Sequence, residues 1–98
     1  MRYVFDAALF RWAARRELWT FVRVPDEASA EIREVVGRMG GFASVRVDAR
    51  IGATRFRTSI FGGADGAFVL PVKRAVRDAE GLVVDRLVRD VEIELVDH

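Results

Sequence analysis

Five cations cluster in the second half of the chain: Arg55, Arg57, Lys73, Arg74 and Arg77. Arg55 and Arg57 are two residues apart in the alternating stretch TRFRTSI, so they share a strand face with Ser59. Lys73, Arg74 and Arg77 lie in KRAVRDAEG, which reads as a short helix beyond the facing strand. Arginine presents a planar fork of donors that fits phosphate or carboxylate. Arg55, Arg57, Ser59, Lys73, Arg74 and Arg77 therefore form the expected ligand site, an anion-accepting face for a small anionic ligand or a protein partner. The competing reading is an ordinary solvated exterior, neutralised by Asp78, Glu80 and Asp90.

Catalysis finds no comparable set of residues. Cysteine is absent, and the single histidine is the terminal His98. Thiolate nucleophiles, cysteine metal sites and histidine-based triads therefore have no residues to build them. Thr58 and Ser59 offer hydroxyls with no histidine base to activate them. GGADG, at 62–66, lacks the Gly-Lys-Ser/Thr end of a phosphate loop and reads as a hairpin turn. The pairs Glu31 with Glu34 and Glu92 with Glu94 fall on wet faces, where nothing raises a carboxyl pKa for acid–base work. The expectation is a non-enzymatic module needing no cofactor or metal.

The net charge is +1, and 15 of the 16 basic residues are arginine. That balance exerts little long-range pull on nucleic acid, so nucleic-acid binding by the same arginines stands as the alternative. Trp12, Trp19, Phe42 and Phe61 read as core or barrel-end packing. A Trp12 exposed beside Arg55 and Arg57 would instead offer a stacking platform for a planar ligand. No apolar run approaches the roughly 20 residues that span a bilayer, and Asp6 interrupts the start, which implies no membrane association and a cytoplasmic protein.

The elements that must position these residues follow from periodicity. Residues 1–98 are read as a single domain, because a chain this short buries one core. Tyr3, Phe5, Ala7 and Leu9 alternate on one side of a first strand. LWTFVRV is a second strand, with Trp19 and Phe21 on one face and Leu18, Thr20, Val22 and Val24 on the other, ended by Pro25. Ala28, Ile32, Val35, Val36 and Met39 recur at helical spacing, with Asp26 as N-cap and Gly40 as stop. Val45, Val47, Ala49 and Ile51 then alternate up to a tight Gly52-Ala53 turn, and Phe56, Thr58 and Ile60 line the return strand. Phe68, Leu70 and Val72 continue inward until Pro71 ends the ladder. The helix after it has Ala75, Val76 and Ala79 inward and Gly81 as its stop, and Val91, Ile93 and Leu95 line the last strand.

The order strand, proline, helix, glycine, strand occurs twice, from Phe21-Val22 and again from Phe68-Val69. The second unit resembles the swapped-hairpin element of AbrB-type transcription factors and MazE-type antitoxins. Resemblance and repeat together imply a mainly β, closed double-split barrel of about six strands, capped by two short helices, pseudo-two-fold within one monomeric chain. Over nearly its full length the chain is more closely similar to the bacterial DUF1905 family, a domain of unknown function. The matching stretches are Trp19-Thr20-Phe21-Val22 before Val24-Pro25, Ile51-Gly52, Arg57-Thr58-Ser59, GAFVLPVK at 66–73 and RDAEGL at 77–82. The family's Gly-Asp reads Val84-Asp85 here, and Arg89 breaks the alternation that follows. The resemblance implies a fold and no activity.

Overall fold

The computed structural model describes residues 1–12, 19–37, 44–62 and 65–96. Among them the chain forms seven strands and two helices: β1 (Arg2–Ala8), β2 (Phe10–Arg11), β3 (Thr20–Arg23), α1 (Asp26–Gly37), β4 (Ser44–Ile51), β5 (Thr54–Gly62), β6 (Phe68–Pro71), α2 (Arg74–Glu80) and β7 (Leu87–Leu95). All ladders are antiparallel, in the order β1-β7-β4-β5-β6-β3-β2.

This overturns the closed six-stranded barrel. The sheet is an open half-barrel, and its two end strands, β1 and β2, are not paired with each other although only Leu9 separates them in the chain. Two local features accompany this opening. At Leu9 the backbone leaves the ladder and bonds the 85–86 turn, its N–H donating to Arg86 C=O (3.0 Å) and its C=O accepting from Asp85 N–H (2.7 Å). On the far side, β5 and β6 meet through only Phe61↔Val69 and Gly62↔Phe68. Pro71 has no N–H to extend that ladder, while on the other edge of β6 Val72 N–H continues the pairing with β3 by donating to Thr20 C=O (2.8 Å).

The two strand–proline–helix–strand units are both present, and their equivalent strands meet: β3 pairs with β6 and β4 with β7. The inward alternation is largely as expected. Leu9, Val22, Val24, Val47, Ile60, Leu70, Val72, Val91 and Ile93 are fully buried, and Ile32 and Val36 of α1 close over them. Met39, Gly40 and Phe42 lie outside the described residues. Arg89 and Asp90 are both exposed because β7 carries a bulge there, with Asp90 at φ 52 and its N–H donating to Asp6 Oδ1 (2.8 Å). The bulge absorbs the broken alternation and returns Val91 to the core.

Helix α2 corrects the expected inward face. Val76 and Arg77 are buried, whereas Ala75 and Ala79 are exposed. Gly81 ends the helix in the left-handed conformation (φ 62), as expected of a glycine stop. Its neighbour Glu80 reaches the β4–β5 turn and accepts a hydrogen bond from Thr54 Oγ1 (2.6 Å). No helix among the described residues is long and apolar enough to cross a membrane.

Candidate functional site

The structure divides the six residues of the expected anion site. Arg55 and Arg57 share the outer face of β5 and line one shallow hollow of about 380 Å³ with Asp48, Arg50, Glu92 and Glu94. Ser59, Lys73 and Arg74 are not part of its lining, and Arg77 turns inward. Within the hollow three arginines face three carboxylates. Arg57 forks onto Asp48 through Nε (2.7 Å) and Nη2 (3.2 Å), and Arg50 Nη2 donates to Glu92 (3.2 Å). Arg57 holds the Asp48 carboxyl below the usual range, and Arg50 does the same to Glu92. Both acids stay ionised, so the face is a lattice of alternating charge. Arg74 pairs loosely with Asp78 on its own helix (3.6 Å).

A second feature was not legible as a site. Phe21 is 1% exposed yet belongs to no part of the main core, because it points out of the opposite face of β3 from Val22. Four rings bury it there. Trp12 and Phe61 stand steeply to it, at 70° and 90° with centroids 5.4 and 5.6 Å away, while Trp19 and Phe10 lie at 6.4 and 5.8 Å. Trp12 and Phe61 run nearly parallel to each other (21°), 6.5 Å apart. Both tryptophans remain 45% exposed, an unusual cost in apolar surface for a small domain.

Phe10, Trp12, Phe21 and Phe61 line a predominantly apolar groove of about 350 Å³, shared with Val69, Arg11, Arg23 and Asp65, while Trp19 lies outside its lining. That volume lies within the range of small-molecule sites. Register explains its assembly. Phe10 pairs with Phe21, Phe21 with Pro71 and Phe61 with Val69, so β2, β3, β6 and β5 bring their outward residues into one row. The sequence signal was a strand with large apolar residues on both faces, Phe21 and Val22, which needs two covers. Trp12 is exposed as the stacking-platform reading required, but its charged neighbours are Arg11, Arg23 and Asp65, while Arg55 and Arg57 line the other hollow.

One rim of the groove is an ion cluster. Arg23 donates through Nε to Asp65 Oδ2 (3.1 Å) and through Nη2 to Asp26 Oδ1 (2.7 Å). Asp65 Oδ1 also accepts the Ala67 N–H (3.1 Å). That backbone donor, followed by Arg23, holds the Asp65 carboxyl below the usual range, while Asp26 and then Asp65 raise the Arg23 pKa. The rim therefore offers a fixed cation and a fixed anion side by side.

The family model described as "Domain of unknown function (DUF1905)" matches residues 5–93. The chain belongs to the DUF1905 family. The matched span runs from the first inward phenylalanine to the core of β7, so it takes in the aromatic groove and, except for Glu94, the charged hollow of this DUF1905 chain. No curated protein is significantly similar to it.

Proposed function

We propose that this chain is a non-enzymatic binding module whose ligand lies in the aromatic groove, stacked on Trp12 and Phe61. The observation that carries this reading is the pair of nearly parallel rings, one of them a half-exposed tryptophan, held over a buried perpendicular Phe21. Rings fixed at right angles by a packed neighbour are preorganised, so a planar ligand gains stacking contact without having to order them. The carboxylates nearest to guanidinium groups have lowered pKa values, which suits charge pairing and not proton donation. The arginines Arg50 and Arg57 of β4 and β5 already pair with Glu92 and Asp48, which favours the groove over the arginine face as the ligand's place.

Both tryptophans of the chain border this cluster, so intrinsic fluorescence reports on it directly. Titration with naphthalene should change the emission saturably, and Phe61→Ala should abolish the change while Arg55→Ala/Arg57→Ala preserves it. The alternative, nucleic acid held on the arginines of the half-barrel's outer face, predicts the reverse: salt-sensitive duplex binding lost in the arginine double variant. Silence toward naphthalene, with duplex binding that needs Arg55 and Arg57, would replace the groove by the arginine face.

A further inference from the structure

Resting on that reading, we infer that the groove selects a small planar heterocycle whose edge carries a hydrogen-bond acceptor next to a donor, the chemistry of nucleobases and pterins. Stacking alone would admit any flat apolar molecule. The selectivity comes from the rim, where Arg23 and Asp65 sit on the same outer face as Phe21 and line the same groove. Arg23 uses Nε and Nη2 on the two aspartates, so Nη1 keeps its two N–H groups for a ligand. Each Asp65 oxygen accepts one hydrogen bond within the protein, from Ala67 and from Arg23, and retains a further lone pair. A ring lying parallel to Trp12 and Phe61 therefore meets a donor and an acceptor along one edge.

Charge narrows the class further. Two carboxylates, Asp26 and Asp65, offset the two guanidiniums of the site, Arg23 and Arg11, so the site carries no net positive charge to attract a phosphate chain. A neutral heterocycle presenting C=O beside N–H fits, because it satisfies both rim groups without adding charge. Each half of the pairing has a precedent in base readout, where arginine donates to the O6/N7 edge of guanine and a carboxylate accepts from a base amino group.

Guanosine is the probe, followed by tryptophan fluorescence with wild type, Arg23→Ala, Asp65→Ala and Phe61→Ala, each first shown to be folded by its melting transition. The expected result is saturable guanosine binding lost in Phe61→Ala and weakened about tenfold or more in Arg23→Ala and in Asp65→Ala, the scale of a lost charged hydrogen bond. Naphthalene binding should be unchanged by either rim substitution, and 1-methylguanosine, whose N1 donor is blocked, should bind about tenfold more weakly than guanosine. Guanosine binding that survives both rim substitutions, or that is no better than that of 1-methylguanosine, overturns the inference while leaving the stacking groove intact. If neither guanosine nor naphthalene binds, the groove reading falls as well. A single-stranded oligonucleotide that binds with a steep salt dependence where guanosine does not would overturn the small-molecule assignment.

Discussion

The guanidinium of Arg77 donates to the hydroxyl of Thr20 at 2.6 Å, bridging α2 to β3 across 57 positions of sequence. Thr20 Oγ1 in turn donates to Val72 C=O (2.6 Å), which also accepts from Arg77 Nη1 (3.3 Å). Arg77 is only 9% exposed, so this small network is what permits a cation on the inner face of the helix. Thr20→Val keeps the shape and removes an acceptor and a donor. It should cost about 1–3 kcal/mol, with each kcal/mol lowering Tm by roughly 4–8 °C in a domain of this size. A melting curve that does not move would show that the guanidinium is satisfied without Thr20.

Gly52 is the second anchor of α2. It sits at φ +60 in the β4–β5 turn, and a Cβ built there would run into the Glu80 carboxylate that Thr54 holds. Gly52→Ala combines left-handed strain with displacement of Glu80, and should destabilise by about 1–2 kcal/mol in chemical denaturation. In the Glu80→Ala background the collision is absent and only the strain remains, so the same substitution should cost less there. Equal cost in both backgrounds would remove Glu80 from the account.

The contrast between these two contacts marks what the sequence can reveal. The Gly52-Ala53 turn, the inward alternation of β4, β5 and β7 and the Gly81 stop were all legible, because each depends on residues close in sequence. Arg77 was assigned to the surface because charge patterning argues outward, and its acceptor, Thr20, comes from a distant strand. Phe21 was likewise ambiguous. Alternation placed it opposite Val22, but only the pairing of β2, β3, β6 and β5 shows that the opposite face is covered by other rings. Closure of the barrel was misjudged for a related reason: between the two end strands the backbone of Leu9 bonds Asp85 and Arg86, which are distant in sequence.

Acid should loosen the outer charge lattice first. Asp48, Asp65 and Glu92 all titrate below their ordinary values in the folded state. A depressed folded pKa means the unfolded chain binds the proton more tightly, so the stabilisation is present above the ordinary carboxylate range and is lost as pH falls through the folded values. Tm should thus hold near neutrality and decline below about pH 4–5. Asp48→Asn should flatten that decline while lowering Tm slightly at pH 7. All three groups are solvent-accessible, so high salt should shrink the difference between variant and wild type, and a salt-independent difference would argue against charge pairing as its cause.

Phe21 should prove to be the support of the groove. Its ring is in contact range of four others, and aromatic pairs contribute about 0.5–1.5 kcal/mol each beyond the area they bury. Phe21→Leu retains most of the apolar volume while removing the perpendicular face against which Trp12 and Phe61 stand, so a cost of about 1–3 kcal/mol is expected. The second signature is spectroscopic. Near-UV circular dichroism of the indoles depends on their fixed orientation and should collapse, whereas far-UV dichroism should persist because Val22 still anchors β3 in the core. If the near-UV signal survives Phe21→Leu, the tryptophans are oriented by something other than Phe21, and the preorganisation on which the groove depends would have to come from elsewhere in the fold.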